Sequence, residues 1–590
     1  MKNNTVMNRV NYPATLLCDF YKISHREQYP QGTEKIYATW TPRTSRLKNI
    51  DKVVFFGLQA FMQEYLVDYF NDNFFSRPIE DVVEEYKRVI KYTLNKDEVD
   101  ATHIENLHKL GYLPIKICAV EEGTLVPIRV PMFTIENTID EFYWVTNYLE
   151  TLMSCMLWQP MTSATISLEY RKLLEKYARE TNGDTSAVPF QGHDFSMRGM
   201  SSLESAKSSG AGHLLSFTGT DTIPAILYME QFYNANIENE LVGTSIPATE
   251  HSVQCTYGKE SEIDTYRRLI NEIYPTGICS IVSDTWDLWK VLTDYLPQIK
   301  EDIMARDGKV VIRPDSGNPV DIICGTAQII ELTEEMLVDV PNVVDCNPNP
   351  DYGDIGIAES TIEELVRNYI DYEYDLVLNP IPVRYFSYNG CLYKAKMDYV
   401  FNTYEGEYIM KNLEMVKNYK LTPEEKGVIE LLWETFGGTI TEQGYKQLDE
   451  HIGCIYGDAI TVQRCQEICE RLKAKGFAST NMVYGIGSFT YQYNTRDTFG
   501  FALKTTYAVV DGEERQLFKD PITDNGVKKS QRGKVAVLKD SQGEISYIDG
   551  LNKVQHSNTR GNIMRTVFLN GMMYKEHSLS ELREKVLQNI

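Results

Sequence analysis

Seven short apolar runs in the middle of the chain each end in a polar cluster rich in acidic residues, His or Gly. The clusters are centred on Asp194, Asp221, His251, Asp284, Asp315, Asp458 and Gly487. Successive centres lie 27, 30, 33, 31, 143 and 29 residues apart, and about thirty residues is the length of one strand–loop–helix unit. Chemistry in such folds lies at the carboxyl ends of the strands. The pattern therefore predicts a parallel α/β scaffold with its functional site at the carboxyl-terminal edge of the sheet.

The interval of 143 residues indicates an insertion of about 110 residues, because one unit takes about thirty. The stretch 336–420 interrupts the alternation of strands and helices, and its SYNGCLY sequence contains a two-residue Asn-Gly hairpin signal. The following LTPEEKGVIELLWETF is predicted to be the helix that returns to the scaffold.

The flanking segments predict a second unit. Residues before 161 mix short strands with helical stretches such as 78–94, and the end of the chain carries hairpins and a helix at 578–588. We expect the two ends to pack together. The predicted organisation is a mixed α+β segment (1–160), a parallel α/β barrel (161–335 and 421–497), a β-rich insertion (336–420) and a C-terminal β-hairpin segment (498–590).

Bulk composition narrows the classes of function. The 590 residues carry a net charge of −24, which argues against a nucleic-acid partner because binding to phosphate backbones needs a basic face. Eleven Cys without a CxxC pair favour reduced thiols over zinc or disulfides. No apolar run reaches the roughly 18 residues of a membrane helix, and no leader is recognisable. We therefore expect a soluble cytoplasmic protein without membrane contact.

Two clusters combine charges that suit catalysis. VVIRPDSGNP delivers Arg313 and Asp315 to a strand end, where the pair can serve an anion and a hydroxyl or metal, or form a salt-bridged loop. His251 ends another strand, with Asp284 in the next unit. A carboxylate near a His fixes its tautomer and raises its basicity, although a lone His is more often structural.

Other clusters suit phosphate or hydroxyl binding. Asp221 lies at a predicted helix N-terminus, where the alternative is a simple cap. Glycines at strand-to-helix turns let the backbone approach a phosphate. They occur with polar neighbours at Gly457, Asp458, Gly487 and Ser488. Neither GxGxxG nor a P-loop is present, so a dinucleotide fold and a P-loop NTPase are not supported.

Basic and aromatic residues complete the candidates. Singly, each basic residue is typical of a solvated surface, yet a phosphate-rich substrate of this acidic chain needs several together. The basic candidates are Arg198, Arg496, Lys504 and Lys519. Phe195 and Tyr21 are either core aromatics or a pair that stacks on the two faces of a flat heteroaromatic ring.

Taken in order, these motifs resemble the nicotinamide phosphoribosyltransferase family of the type II phosphoribosyltransferase group. The resemblance covers most of 15–325 and 425–590, and it does not cover 336–420. Its motifs are DFYKISHREQYP, FFGLQ, PMFTIENT, YWVTNYLET, HDFSMRG, SFTGTDT, SIPATEHS, IVSDTWD, IRPDSGNP, IYGD, YGIGS, TRD, LFKDP and RTVFLNG.

The resemblance implies transfer of phosphoribosyl from 5-phosphoribosyl 1-pyrophosphate to nicotinamide, giving nicotinamide mononucleotide and pyrophosphate for NAD salvage. It also implies Mg²⁺, ATP as a coupling substrate, and a homodimer with shared active sites. The alternatives are a nicotinate phosphoribosyltransferase, which Asp221 disfavours, and a catalytically silent ligand-binding protein on the same scaffold.

The resemblance further implies a role for each residue that recognises the acceptor and the ribose. Phe195 and the partner subunit's Tyr21 would sandwich the pyridine ring. Asp221 would accept a hydrogen bond from the carboxamide N–H₂, and Arg313 would orient that group. The ribose hydroxyls would be bound by Asp315, Gly457 and Asp458.

The implied phosphate sites draw on both subunits. Arg198 would act with Arg496 and Lys504 of the partner subunit, and Lys519 belongs to the same basic set. Gly487 and Ser488 would hold the product phosphate. ATP would phosphorylate His251, oriented by Asp284, and Asp315 is the candidate contact for Mg²⁺. Ala502 replaces a common phosphate-binding Ser and the Gly run after Gly485 is short, which leaves phosphate affinity and ATP coupling open.

Overall fold

A parallel sheet forms the centre of the molecule. The computed structural model describes residues 12–333, 360–372, 381–403, 407–519 and 530–590. Its six parallel strands pair in the order Gly219–Thr220, Gly192–Asp194, Met482–Ile486, Ile452–Tyr456, Val310–Arg313 and Cys279–Val282. The segment 244–248 joins the two edges, since Thr244 pairs with Gly219 and Ala248 pairs with Ser280. The sheet thus closes into a ring, which confirms the predicted parallel α/β barrel.

Helices surround this barrel and bury its strands. The strand Cys279–Val282 is buried along its whole length, as expected for a parallel strand that is covered on both faces. No helix in the ranges given above is long and apolar enough to cross a membrane. The main helices around the barrel are Leu203–His213, Ile223–Phe232, His251–Tyr257, Glu262–Arg268, Pro319–Cys324, Val428–Phe436 and Val462–Ala474.

The helix Glu150–Thr181 crosses the predicted domain boundary at residue 160. Its first part contributes Leu157 and Met161 to the apolar core of the N- and C-terminal segments. Its second part contributes Tyr170 and Leu174 to the core of the barrel. One continuous helix therefore packs against both cores, and it begins eleven residues before position 161, where the barrel segment was predicted to start.

The two ends of the chain form one antiparallel sheet, here called the terminal sheet domain. Its strands follow the order Glu513–Gln516, Ala502–Val510, Thr33–Thr41, Phe133–Asn137, Ile115–Ala119, Arg565–Leu569 and Met572–Met573. Trp40 lies between Phe133 and Phe501, with ring centroids 5.8 and 5.5 Å apart. Its helices include Ile79–Leu94 and Thr102–Leu110, whereas the C-terminal helix Leu579–Leu587 shares a core with the barrel helices Leu203–His213 and Ile223–Phe232. The expectation that the terminal segments pack together is confirmed.

The insertion contains a four-stranded sheet and a helix. The strands are Ile329–Glu331, Val383–Tyr388, Cys391–Asn402 and Glu407–Lys417, and the helix is Ser360–Tyr372. Asn389 and Gly390 have φ values of 48° and 74°, so the predicted two-residue hairpin turn is present. The helix was not predicted, and the first strand precedes the predicted start at 336. The predicted residues 336–359 lie outside the described part of the chain.

The two ends of the insertion meet. Thr326 N donates to Glu424 O at 3.1 Å, and Ala327 N donates to Glu425 O at 3.2 Å. A Cβ on Gly427, which has a φ of 83°, would collide with the backbone of Gly325. The helices on either side of this junction lead to the neighbouring barrel strands Val310–Arg313 and Ile452–Tyr456. The barrel therefore continues across the insertion as predicted.

Candidate functional site

The carboxyl ends of the barrel strands meet at one mouth, and the seven polar clusters lie there. Asp194, Thr220, Val282, Arg313 and Ile486 are the last residues of five strands. The sixth strand ends one residue before Gly457, and the segment 244–248 leads to His251. The sequence pattern thus identified the edge of the sheet on which the candidates gather.

Phe195 lies against two glycines, Gly485 in the strand Met482–Ile486 and Gly457 directly after the strand Ile452–Tyr456. A Cβ on Gly485 would approach the ring to 2.5 Å, and one on Gly457 would approach it to 3.4 Å. The Gly457 Cβ would also lie 2.8 Å from the Asp315 carboxylate. These glycines give the aromatic ring its place at the mouth, a role that sequence analysis did not assign to Gly485.

Asp221 is held by two side chains that sequence analysis did not select. His193 Nε2 lies 2.9 Å from Asp221 Oδ1, and Ser245 Oγ donates to the same oxygen at 2.5 Å. Partial burial acts to raise the pKa of Asp221, but the hydrogen bonds from His193 and Ser245 bring it below its usual value. Helix Ile223–Phe232 receives no capping bond from Asp221, so the simple-cap alternative is wrong.

His251 faces two carboxylates. Its Nε2 lies 3.9 Å from Asp284 Oδ1 and 3.8 Å from Asp315 Oδ2. The hydrogen bond that orients the ring involves Nδ1, which lies 3.0 Å from Thr285 Oγ1. Orientation by Asp284 was the prediction, and this structure instead shows Thr285 as the hydrogen-bonded neighbour.

Asp284 organises the loop that carries Asp315. Its Oδ2 accepts hydrogen bonds from Asp315 N at 3.0 Å and from Ser316 Oγ at 2.5 Å. Its Oδ1 is buried without a hydrogen-bond partner in the described part of the chain. Burial raises the pKa of Asp315, and the Asp284 charge adds to the rise while Arg313 opposes it. The mouth therefore contains two close carboxylates with one unused oxygen.

Arg313 lies among these acids with unused donors. Its Nη2 donates to Thr249 O at 2.7 Å, while its buried Nε has no acceptor among the described residues. Burial lowers the pKa of Arg313, and the charges of Asp315 and Asp221 oppose this effect. The salt-bridged loop that competed with the functional interpretation is absent in the described residues, since no ion pair within 4 Å involves Arg313.

The phosphate candidates occupy the same rim. Arg198 is exposed in the turn Met197–Gly199 and acts electrostatically on Arg313. A Cβ on Gly199 would collide with the Ser488 hydroxyl, so the two loops are in contact. Asp458 is exposed at the mouth, and its charge acts on Asp315.

Mg²⁺ was expected at this site, where the protein can supply only a few of the ligands that the ion needs. No group of three or more His, Cys, Asp or Glu side chains in the described residues could hold a metal ion. Mg²⁺ is commonly bound by one or two carboxylates together with substrate phosphates. Asp315 and the unused oxygen of Asp284 fit that mode, in which the substrate supplies most ligands.

The remaining candidates, Tyr21, Arg496, Lys504 and Lys519, belong to or border the terminal sheet domain. Lys504 Nζ lies 3.9 Å from Glu150, which also pairs with Lys22 beside the exposed Tyr21. Burial lowers the pKa of Lys504, and the charge of Glu150 opposes this effect. Arg496 also acts on Lys504 electrostatically.

A cavity of about 950 Å³ lies in this domain and is here called the cationic cavity. Among the described residues, two acidic side chains line it, Asp497 and Asp549. Six basic side chains of the described residues also line it: Arg43, Arg46, Arg129, Lys504, Lys519 and Arg532. Sequence analysis had selected Lys504 and Lys519 and had missed the four arginines. The sequence-predicted residues therefore fall into two groups, one at the barrel mouth and one in or beside the terminal sheet domain, where Lys504 and Lys519 line this cavity.

Comparisons with known proteins agree over nearly the whole chain. The nicotinate phosphoribosyltransferase family model matches residues 190–369 and 414–572, and the model of the nicotinamide phosphoribosyltransferase N-terminal domain matches 14–117. A nicotinamide phosphoribosyltransferase of Acinetobacter baylyi is 44% identical over 97% of this chain and 96% of its own length. One from Xanthomonas campestris pv. campestris is 30% identical, covering 96% of each chain.

The chain also resembles a solved structure at low identity. The crystal structure of nicotinate-nucleotide pyrophosphorylase from Pyrococcus furiosus aligns with 100% of this chain and 98% of its own, at 13% identity and a TM-score of 0.46.

Proposed function

Because the chain belongs to the nicotinate phosphoribosyltransferase family, we propose that this phosphoribosyltransferase uses nicotinamide as its acceptor. It would transfer phosphoribosyl from 5-phosphoribosyl 1-pyrophosphate and release nicotinamide mononucleotide and pyrophosphate. The observation that carries the proposal is the Asp221 carboxylate, fixed by His193 and Ser245 near the Phe195 ring. Two relatives with that name, at 44% and 30% identity, support the same acceptor.

Acceptor recognition follows from the charge of Asp221. Both described hydrogen bonds to this side chain use Oδ1, which leaves Oδ2 to accept from the carboxamide N–H₂. A nicotinate carboxylate at the same place would meet a like charge, and this repulsion discriminates against the acid. The ring would stack on Phe195, and Arg313 would donate to the carboxamide oxygen.

The transfer step needs charge stabilisation and no proton transfer. The bond from ribose C1 to the pyrophosphate oxygen breaks, and its electron pair leaves with pyrophosphate. The pyridine nitrogen then uses its lone pair to form the new bond to C1. Positive charge develops on the ribose in the transition state, where Asp315 and Asp458 would bind hydroxyls and stabilise it.

The leaving pyrophosphate requires cations. Mg²⁺ supplies charge neutralisation when bound, and Asp315 with Asp284 would hold it beside the pyrophosphate. Arg198, Gly487 and Ser488 of the mouth would bind its phosphates, which the contact between the loops of Gly199 and Ser488 supports. We propose a homodimer in which the cationic cavity of one subunit completes the mouth of the other, because Lys504 and Lys519 lie in the terminal sheet domain.

ATP coupling is proposed to use His251. If Nδ1 donates its hydrogen to Thr285, Nε2 carries the lone pair and can attack the γ-phosphorus of ATP. The bond from that phosphorus to the bridging oxygen breaks, ADP leaves, and a phosphohistidine forms. The position of Nε2 between Asp284 and Asp315 would place the phosphoryl group at the pyrophosphate site.

A turnover assay tests the proposal. Purified protein, 5-phosphoribosyl 1-pyrophosphate and Mg²⁺ are mixed with nicotinamide or nicotinate, with and without ATP, and both mononucleotides are quantified. Nicotinamide mononucleotide should form, with a higher kcat/KM for nicotinamide. Preference for nicotinate would reject the acceptor assignment, and absence of pyrophosphate release would favour a silent binding protein.

A further inference from the structure

Arg129 has a left-handed backbone in the wall of the cationic cavity. Its φ is 74°, a conformation that Gly adopts freely and that costs free energy for a residue with a Cβ. Nine non-Gly residues have positive φ in the described ranges, and seven of them are Asn or Asp, the types that tolerate it best. Arg129 is the one with a long charged side chain.

The surrounding structure holds this backbone in place. Arg129 N donates to Pro42 O at 2.6 Å, and Gln531 Nε2 donates to Arg129 O at 3.0 Å. Gln531 is itself buried and lies 3.4 Å from Thr39 Oγ1 in the neighbouring strand. The same main-chain bonds would form with Gly or Asn at this position, so neither requires the Arg side chain.

The guanidinium group has no carboxylate within ion-pair distance in the ranges that the structure describes. The guanidinium group lines the cavity together with Tyr547. Burial and the charge of Asp549 raise the pKa of Tyr547, and the charge of Arg129 opposes this rise. Of the described residues, six basic and two acidic side chains line the cavity, in a chain with a net charge of −24. Strained residues of this kind are associated with binding sites, where the strain serves function.

We propose that Arg129 is a polyphosphate-binding residue of the cationic cavity. A planar guanidinium forms two parallel hydrogen bonds to phosphate oxygens, which Gly and Asn at this position would not provide. The cavity volume of about 950 Å³ is within the range of sites for nucleotide-sized ligands. The identity of the natural polyphosphate, either the pentosyl donor or ATP, rests on the proposed function, but the binding itself does not.

Direct binding tests the proposal with the full chain. Titration calorimetry with inorganic tripolyphosphate compares the wild type with Arg129→Gly, Arg129→Asn and Arg129→Lys. Arg560→Ala removes the same charge from an exposed turn and serves as the control. The Gly and Asn variants should bind about tenfold more weakly, while Lys retains part of the affinity.

The thermal stability of Arg129→Gly separates binding from folding. Its Tm should be equal to or above that of the wild type, because the strain is removed. Wild-type affinity in Arg129→Gly, equal weakening in Arg560→Ala, or a lower Tm in Arg129→Gly would each overturn the proposal.

Kinetics then identify the natural ligand. A higher KM for 5-phosphoribosyl 1-pyrophosphate in Arg129→Asn assigns the residue to the pentosyl donor. A higher ATP concentration for half-maximal stimulation assigns it to the nucleotide. Arg129-dependent tripolyphosphate binding in a protein without transferase activity would reject the proposed function and leave the role of Arg129 intact.

Discussion

Single residues at the barrel mouth are held by other side chains that sequence analysis did not select. Asp221 is fixed by His193 and Ser245, and His251 is oriented by Thr285. The sequence pattern could identify Asp221 and His251 because both follow apolar runs. Its repeat length gives the edge of the sheet but contains no information about which neighbouring side chains form hydrogen bonds.

Substitution of Asp221 should change acceptor choice. Asp221→Ser removes the charge that repels nicotinate, so the ratio of kcat/KM for nicotinamide over nicotinate should fall by about tenfold or more. Initial rates with both acceptors measure the ratio. Asp264→Ser changes an exposed carboxylate on the helix Glu262–Arg268 and should preserve it. An unchanged ratio in Asp221→Ser would show that discrimination lies elsewhere.

His251 should be required for stimulation by ATP. In His251→Ala, the ratio of the rates with and without ATP should fall to about one, because no nitrogen is available for phosphorylation. Acid-labile phosphate incorporated from γ-labelled ATP should disappear in parallel. Cys255→Ala, four residues along the same helix and exposed, is the control. Continued stimulation in His251→Ala would exclude this residue from the coupling step.

The glycine beneath Phe195 should be sensitive to one added methyl group. Gly485→Ala places a Cβ 2.5 Å from the ring, so the KM for nicotinamide should rise about tenfold as the ring is displaced. Gly453→Ala is a matched change in the adjacent strand, where the nearest atom is the flexible Lys309 side chain at 3.2 Å. Equal effects of the two substitutions would contradict a specific role for Gly485.

At the scale of elements, the strands and helices of the barrel were largely predictable because their apolar periods are regular. The insertion was harder to predict. One residue, Glu425, ties it to the barrel: its carboxylate accepts from Tyr385 Oη at 2.6 Å, Lys394 Nζ at 2.8 Å and Tyr419 Oη at 3.1 Å. These partners are 6 to 40 residues away in sequence, so no local sequence pattern predicts the network.

Glu425→Gln should loosen the insertion and leave the barrel folded. Loss of the carboxylate leaves Lys394 without its ion pair, at a cost of about 2 kcal/mol. Hydrogen exchange should accelerate in the strands Val383–Tyr388 and Cys391–Asn402. Glu424→Gln, an exposed neighbour, is the control. Faster exchange in the barrel strands would contradict a local effect.

The same network predicts a direction for acid sensitivity. Burial alone would raise the pKa of Glu425, but hydrogen bonds from Lys394 and Tyr385 lower it. A pKa that is lower in the folded than in the unfolded state stabilises the fold above the unfolded pKa. This contribution is lost as pH falls through the folded pKa, so exchange in the insertion should rise first in acid.

At the scale of the whole molecule, the candidate residues form two groups, and the proposed homodimer would combine them. Mixed dimers test this arrangement. Asp315→Ala disables the mouth and Lys504→Ala weakens the cationic cavity, so each homodimer should be poorly active. A doubly tagged, purified mixed dimer contains one intact site and should recover about half of the wild-type activity. Failure to recover activity would place both groups in one subunit's site.

The meeting of the two ends of the insertion has a consequence for how this protein tolerates change in length. Main-chain hydrogen bonds hold the two ends of the insertion, at Ala327 and Glu424, next to each other. For the barrel, the insertion is therefore equivalent to a tight turn. Residues added within the insertion do not change the distance between its two ends. The entropic cost of loop closure also grows only slowly with loop length. This position should therefore tolerate domain insertion: a foreign domain with adjacent termini should replace the insertion while the barrel retains its fold.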